Sequence, residues 1–395
     1  MPVCILILAV GMASLWAPME RASAATAVQA RLQPAEALPR ARQILDKTIA
    51  FLKAQQQKDG SWQRNDREPP AVTALALRVL VQDPKHDPAS ADVKRAVAYL
   101  LALQKPDGGI HNGMLANYNT AIIVSALTAL HDPALKDPID KAVAYLKATQ
   151  AWEESTGGEK VDAASPFYGG WGYGGGRGRP DLSNTAVVLD ALQDAGVKSD
   201  DPAYQRALQF VARLQNHSES NPAAWAGNDG GFIYSPGRDG GGESSAGEYM
   251  SNGKRMLRSY GSMTYAGLKS MIYAGLTKSD PRVKAAWEWV RSTWTLDENP
   301  GMTAVGPEAA KAGIFYYYNT LAKALAVYGQ PIVQDSLAAH DWRVELIDKL
   351  GSVQKSDGSF VGDRRWMEDN PIIATTLATL ALQDAMRDLQ EHPSK

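Results

Sequence analysis

The chain has 395 residues, 45% of them apolar, and a formal net charge of −2. That apolar content is ample for a large core in one big domain or two ordinary ones. The near-neutral, interspersed charge argues against nucleic acid or an anionic membrane surface as a partner.

Residues 3–17, VCILILAVGMASLWA, form an apolar run, and Ala22-Ser23-Ala24 before Ala25 has the small-x-small form of a signal-peptidase site. We therefore expect residues 1–24 to be a signal peptide and the mature protein to be exported, periplasmic or extracellular. The run is too short to serve comfortably as a permanent membrane anchor. Cys4 is the only cysteine, so cleavage leaves no disulfide, thiol nucleophile or thiolate metal site.

Residues 25–40 read as a flexible N-terminal segment. A helix over Ala41 to Ala54 follows, with Ile44, Leu45, Ile49 and Leu52 on its apolar face. It runs into QQQKDGSW (55–62) and then VTALALRVL (72–80). The second unit has AVAYLLALQKPDGGI (96–110) and NYNTAIIVSALTAL (117–130). The third has AVAYLKATQ (142–150), FYGGWGYGGG (167–176) and a helix over 179–192. Its polar start suits a helix: Pro180 fits the first turn, and Asp181, Ser183 and Asn184 can accept from orphan N–H groups. The fourth has ALQFVARLQN (207–216), NDGGFIYS (228–235), a Gly/Ser-rich insertion (237–253) and YGSMTYAGLKSMIYAG (260–275). The fifth has AAWEWVRSTW (285–294), TLDENPG (295–301) and GIFYYYNTLAKALAVYG (313–329). The sixth has LIDKLGSVQKSDGSF (346–360) and NPIIATTLATLAL (370–382), and 385–395 is left as a C-terminal tail.

Each unit thus reads as a helix, a Q-x-x-DG-aromatic turn, a loop and a second helix. First helices carry Lys, Arg, Gln and Asp on one face. Second helices are mostly Ala, Thr, Ser, Val and Leu, as crowded inner helices require. Residues 41–384 are expected to be all-α: a six-repeat α/α toroid with an inner barrel of six helices inside an outer ring of six. The Asp-Gly turns supply the positive φ needed past the outer helices. Trp62, Trp171, Phe232 and Phe360 are expected to pack between neighbouring units.

Gln55 to Gly60 with Trp62, Gln104 with Asp107-Gly108-Gly109, Gln354 with Asp357-Gly358 and Phe360, and Gly170-Trp171 resemble a known repeat motif. It is the glutamine–tryptophan motif of the squalene cyclase and protein prenyltransferase β-subunit superfamily. The resemblance covers about Ala41 to Asp384, and it implies the toroid fold. The chemistry of that superfamily does not transfer. The Asp-x-Asp-Asp acid motif of its class II cyclases is missing from this sequence. The zinc site of the prenyltransferases and the thioester of related toroids both need a cysteine that the mature chain lacks.

Inner-helix N-termini should converge at one mouth of a central cavity, where their positive ends and unpaired N–H groups suit polar or anionic ligands. Candidate substrate-binding residues there are Asn117, Tyr118, Arg179, Asn184, Tyr260, Tyr265, Tyr316, Tyr317 and Trp366. Each polar one also serves as an ordinary cap, but tyrosines beside nearly every inner-helix start exceed what capping needs. Tyr316-Tyr317-Tyr318 cannot all face one way on a helix. Candidate acid–base groups are Asp181, the adjacent pair Asp297 and Glu298, and His340 beside Asp341. The pair also reads as a helix-ending turn, and His340 as an exposed residue before an amphipathic helix.

Gly170 to Gly175 matches G-x-G-x-x-G, but no strand precedes it, so no dinucleotide is expected. DGGGESSAGE (239–248) reads as a flexible loop rather than a calcium site. No zinc spacing or serine elbow is present. We expect no cofactor and no metal. The reading is an exported terpenoid cyclase-like toroid holding a small-molecule or oligomeric ligand in an aromatic-lined cavity. Carboxylate-driven isomerase or lyase chemistry on an isoprenoid-like substrate is one outcome. A non-catalytic glycan, peptide or lipid binding module, or a glycan-active hydrolase or lyase, are the others.

Overall fold

The computed structural model describes residues 32–393 except 66 and 175–177. The expected signal peptide, its cleavage site and Cys4 lie outside the described residues. Twelve α-helices occur among the described residues: α1 (Pro34–Gln55), α2 (Ala71–Val81), α3 (Ala91–Leu101), α4 (Ala116–Thr128), α5 (Lys136–Ala148) and α6 (Leu182–Asp194), then α7 (Pro202–Ala212), α8 (Gly261–Tyr273), α9 (Pro281–Ser292), α10 (Ile314–Tyr328), α11 (Trp342–Val353) and α12 (Pro371–Glu391). Two antiparallel hairpins interrupt them, β1 (Glu248–Ser251) with β2 (Lys254–Leu257), and β3 (Ile332–Gln334) with β4 (Ala339–Asp341).

Composition sorts the helices into two layers. Twelve of thirteen residues in α8 and nine of eleven in α2 are buried, so these helices are covered on every side. In α3 only Val93, Ala96 and Leu100 are buried, a single stripe facing inward. The even-numbered helices form the inner layer: each packs on the next, and α12 packs back on α2. The odd-numbered helices lie against them, and α1 packs on both α11 and α12.

A glutamine joins one unit to the next. Gln56 Nε2 donates to Gly60 O at 3.1 Å and to Asp92 O at the start of α3 at 2.8 Å. Gln104 does the same with Gly108 and Pro138, Gln150 with Gly169 and Ala203, and Gln215 with Gly230 and Arg282. Gln354 donates to Gly358 O and, closing the ring, to Ile44 O of α1 at 3.0 Å. The turn glycine must be glycine for two reasons. At Gly169 φ is +85°, and an added Cβ would sit 2.0 Å from Arg206 O. After the turn, the backbone N–H of Trp62, Ile110, Trp171, Phe232 or Phe360 donates to a threonine hydroxyl one turn into the inner helix. The four expected aromatics are fully buried, and Trp62 and Trp171 donate their indole N–H back to the preceding outer helix.

Three boundaries differ from expectation. Helix α1 begins at Pro34, so 34–40 belongs to the fold: Pro34 starts the helix, Gln33 and Glu36 form a capping box, and Ala37 and Ala41 are buried. Helix α12 continues to Glu391, past the end expected at 384, because Ala385, Asp388 and Leu389 are buried. The 237–253 insertion carries a hairpin rather than a plain loop, and a second hairpin precedes α11, so the strands qualify the all-α expectation.

The clamp makes a quantitative prediction. Gln150→Ala removes two buried Nε2 hydrogen bonds and the Oε1 acceptor of Arg206 and should cost about 1–3 kcal/mol. In urea titrations the midpoint falls while the slope is unchanged. Gln57→Ala, one residue beyond a clamp and exposed, should stay within about 0.5 kcal/mol of wild type.

Candidate functional site

The inner helices run in one direction. Ser183 near the start of α6 meets Tyr316 near the start of α10 at 2.8 Å. Lys323 late in α10 meets Asp190 late in α6 at 3.1 Å. These two helices are not neighbours in the ring, so both contacts cross the lumen. Between them lies a cavity of about 590 Å³ lined by residues from all six inner helices. Its mouth is aromatic: Tyr118, Tyr173, Tyr234, Tyr260, Tyr316 and Trp366 line it. Its waist is aliphatic, with Leu75, Ile122, Val187, Met263, Leu377 and Leu380.

Of the expected binding residues, Tyr118, Tyr260, Tyr316 and Trp366 line this cavity. Asn117 and Arg179 line an adjoining cleft of about 810 Å³, which shares Tyr173, Tyr234 and Glu243 with the cavity. Arg179 is exposed, donates to Arg238 O at 2.7 Å and lies over the Phe167 ring at 4.8 Å. Asn184 is buried beneath the mouth as a support for Asp181. Tyr265 and Tyr317 face the core instead. Their rings meet edge-on at 5.7 Å, and Tyr317 OH donates to Thr295 O at 2.7 Å. Tyr318 OH donates to Leu296 O, so only Tyr316 of the three consecutive tyrosines reaches the lumen.

The expected acid–base groups separate in the same way. Asp181 lines the adjoining cleft and is 3% exposed. Asp297 is exposed and pairs with Lys349 of α11 at 2.6 Å, which holds its carboxyl below the usual range. Glu298 accepts from Thr303 Oγ1 within the same loop. His340 lies on β4 between Asp335 at 3.1 Å and Glu345 at 2.9 Å. Asp341 caps α11 and pairs with Arg343, which reaches on to Asp388 of α12. These four line neither the cavity nor the cleft. They tie outer elements together, which is the work their position in the outer layer provides.

The mouth amides are not free, contrary to expectation, because neighbouring loops and helices cap them. Asn119 Oδ1 accepts from Ala71 N of α2, Asn299 Oδ1 from Ser262 N of α8, and Glu368 Oε1 from Tyr316 N of α10. Asp181 and Asn370 cap their own helices. A free anion therefore has few helix N–H donors left to claim at this rim.

Burial raises the carboxyls of two of these caps. Burial pushes the Asp181 carboxyl up to about 7, against hydrogen bonds from the Asn184 backbone and side chain, Tyr234 and the Ser183 backbone. Burial likewise lifts Glu368 to about 7 against the amides of Tyr316, Phe315 and Ile314. Tyr234 joins Asp181 to the cavity, since it bonds the carboxyl and is among the residues that line the lumen. Tyr173 bonds both Tyr234 and Asn184.

The far end of the cavity holds charges that sequence reasoning missed. Lys269 Nζ lies 2.5 Å from Asp190, Lys323 Nζ 3.1 Å from Asp190 and 3.6 Å from Asp194, and Arg78 3.1 Å from Asp194. Burial opposes ionisation of Asp194, yet Arg78 and Lys323 hold it down to about 2. The signal was the charge that breaks an apolar stretch in each of five inner helices: Arg78, Asp190, Lys269, Lys323 and Asp384. Among the described residues no group of three or more His, Cys, Asp or Glu side chains gathers as a metal site. No helix among them is long and apolar enough to cross a membrane.

Known proteins share this architecture. The family model for the squalene-hopene cyclase C-terminal domain matches residues 65–232. That for the prenyltransferase alpha-alpha toroid domain matches residues 183–392. No curated protein sequence matches the chain. Among solved structures, the chain is similar to the type II terpene cyclase MstE from Scytonema at 15% identity and TM-score 0.52, over 89% of this chain and 100% of that one. A variant of MstE in complex with geranylgeranyl dihydroxybenzoate, its substrate, aligns at 16% identity and TM-score 0.50, over 90% and 99%. The GH76A alpha-1,6-mannanase from Salegentibacter sp. HEL1_6 aligns at 10% identity and TM-score 0.53, over 89% and 99%. At such identities the likeness is one of fold, and the chemistry rests on the residues.

The raised carboxyls predict a pH dependence. Asp181 and Glu368 bind protons more tightly folded than unfolded, where they titrate near 3.8 and 4.5. Their contribution to stability is full below the unfolded values and is lost as pH rises through about 7. Asp181→Asn keeps the cap and removes that loss. Against wild type it should gain on the order of 2–4 kcal/mol between about pH 4 and about pH 7. Glu368→Gln should behave in the same direction. A urea-midpoint difference that stays flat with pH would remove the assignment.

Proposed function

Because the chain belongs to the prenyltransferase alpha-alpha toroid domain family, we propose that it binds an isoprenoid-like substrate in the central cavity and isomerises it by acid–base chemistry. The observation that carries this is the hydrogen bond of buried Asp181 with Tyr234, a residue that lines the cavity. A cavity of about 590 Å³ lies within the roughly 300–1,000 Å³ typical of small-molecule sites. Its aliphatic waist suits a polyene, and the tyrosine and tryptophan faces at the mouth suit a developing carbocation.

In this reading Asp181, half-protonated near neutrality, passes its proton to Tyr234 as Tyr234 gives its own to an alkene carbon. A C–H bond forms, the π bond breaks and the cation is held against the aromatic rim. Loss of a proton from a neighbouring carbon to the ionised Asp181, by the same route, restores the enzyme, so substrate and product are isomers. Six two-helix repeats underlie the cavity in this reading, supported by glutamine clamps at five junctions and a substitute at the fifth unit. We also propose export, on the strength of residues 1–24; the protein recovered outside the cytoplasm should then begin near Ala25.

A second reading rests on the adjoining cleft, where Asp181 and Glu243 occur with Arg179, Phe167 and Tyr173. Two carboxylates among aromatic and arginine side chains suit an oligosaccharide. Thermal-shift titration against geranylgeraniol and against mannan oligosaccharides separates the two. With the isoprenoid reading, geranylgeraniol stabilises the protein and a geranylgeranyl polyene gives a product of unchanged mass. Asp181→Asn should lower that rate by about 10²–10⁴-fold, and the wild-type rate should fall above about pH 7 as the acid ionises. A shift with oligosaccharides alone would transfer the function to the cleft, and a rate indifferent to Asp181 would end the proposed chemistry.

A further inference from the structure

The far end of the cavity, at the C-terminal ends of the inner helices, carries charges that chemistry at the mouth does not use. Arg78 and Lys323 face Asp190 and Asp194 across the lumen at 3.1–3.6 Å, and Lys269 of the neighbouring α8 lies 2.5 Å from Asp190. Asp384 lies in the field of Arg78 and pairs with Arg387 on its own helix at 3.1 Å. Three cations and three anions thus meet at the floor, and Arg78, Asp190, Lys323 and Asp384 line the cavity itself. A floor needed only as a plug would be served as well or better by packed apolar side chains, since desolvating ion pairs is costly.

Asp190 Oδ1 and Asp194 Oδ2 face the cations Lys323 and Arg78; two further buried atoms show what the floor leaves open. Arg78 Nε, a donor, and Gln82 Oε1, an acceptor, find no hydrogen-bond partner among the described residues. Both residues line the cavity, and Gln82, the αR residue that ends α2, follows Arg78 by four positions and so falls on the same side. A buried polar group without a partner costs free energy unless something satisfies it. The pair matches a hydroxyl, which accepts from the Nε–H and donates to Oε1. An anionic head would need a cation already held by Asp190 or Asp194, and a cationic head an aspartate already held by Lys269, Lys323 or Arg387. In a site of low dielectric an unmatched charge is penalised heavily.

We propose that the floor seats the neutral, hydroxyl-bearing head of an amphiphile whose apolar body fills the aliphatic waist, with its far end at the tyrosine mouth. The inference rests on the reading of the cavity as an isoprenoid site and adds which end goes where and what that end carries. It places the reacting alkene of the substrate at the end remote from the hydroxyl.

The test uses four C20 probes with comparable bodies: geranylgeraniol, geranylgeranoic acid, geranylgeranylamine and the hydrocarbon phytane. Dissociation constants come from quenching of tryptophan fluorescence, with Trp366 at the mouth as one reporter. The alcohol should bind at least about tenfold tighter than the acid, the amine or the hydrocarbon. Gln82→Leu should cost the alcohol about five- to tenfold and leave phytane unchanged or tighter. Asp384→Asn, which makes the floor net positive, should bring the acid to within about threefold of the alcohol. Unchanged melting temperatures in both variants show that the floor remains folded. Equal binding of all four probes, or an alcohol affinity untouched by Gln82→Leu, overturns the head-group seat while leaving the cavity as an isoprenoid site. Failure of every probe to bind overturns the isoprenoid reading and this inference with it.

Discussion

The amide of a single glutamine at each of five junctions holds the molecule together. Each Nε2 is shared between the carbonyl of its own turn glycine and a carbonyl of the next outer helix. The glycine's missing side chain lets that turn sit directly on the neighbour's backbone. Spacing between outer helices is therefore set by main-chain contact rather than by interchangeable apolar packing. The fifth junction lacks this device: Trp294 reaches Glu345 and Asp297 reaches Lys349, so side chains alone join α9 to α11 there. Asn299 holds the adjoining loop to α8 and to Ala312.

Parallel inner helices place like ends of their dipoles together, and the cavity's polarity answers that. The positive ends are quenched by carboxylate and amide caps at the mouth. At the negative ends stand Arg78, Lys269 and Lys323, which also hold Asp190 and Asp194 ionised. The aromatic rim, aliphatic waist and charged floor thus follow from one repeated helix direction. A ligand is sorted along that axis by its own polarity.

Much of the fold was legible because the repeat signals are local. A glutamine, an Asp-Gly and an aromatic within a few residues, followed by an apolar helix, need no tertiary knowledge to recognise. Side-chain direction was less accessible. Tyr316, Tyr317 and Tyr318 are about 100° apart around one helix, and only the neighbours that bury Tyr317 and Tyr318 show that Tyr316 faces the lumen. Asp181 could be picked out as a cap, but its depth comes from the covering 167–174 and 234–243 segments, distant in sequence. The floor escaped notice because its charges come one or two to a helix from distant parts of the sequence, and a Lys or Asp near a helix end reads as a surface group. The outer-layer groups, Asp297, Glu298, His340 and Asp341, look catalytic by type, and their partners reveal them as fasteners.

Closure joins the two ends of the chain. Gln354 donates to Ile44 O and Thr48 Oγ1, and Thr48 donates to Gly358 O, contacts separated by more than 300 positions. As the chain leaves the ribosome, α1 must wait for nearly all of the rest before its own face is covered. Its buried stripe of Ala37, Ala41, Ile44 and Leu45 stays open to solvent until the last two helices arrive. The slow, entropically costly step of folding is therefore this final docking, and a nascent chain halted before α11 exposes that stripe to whatever chaperone or protease meets it first.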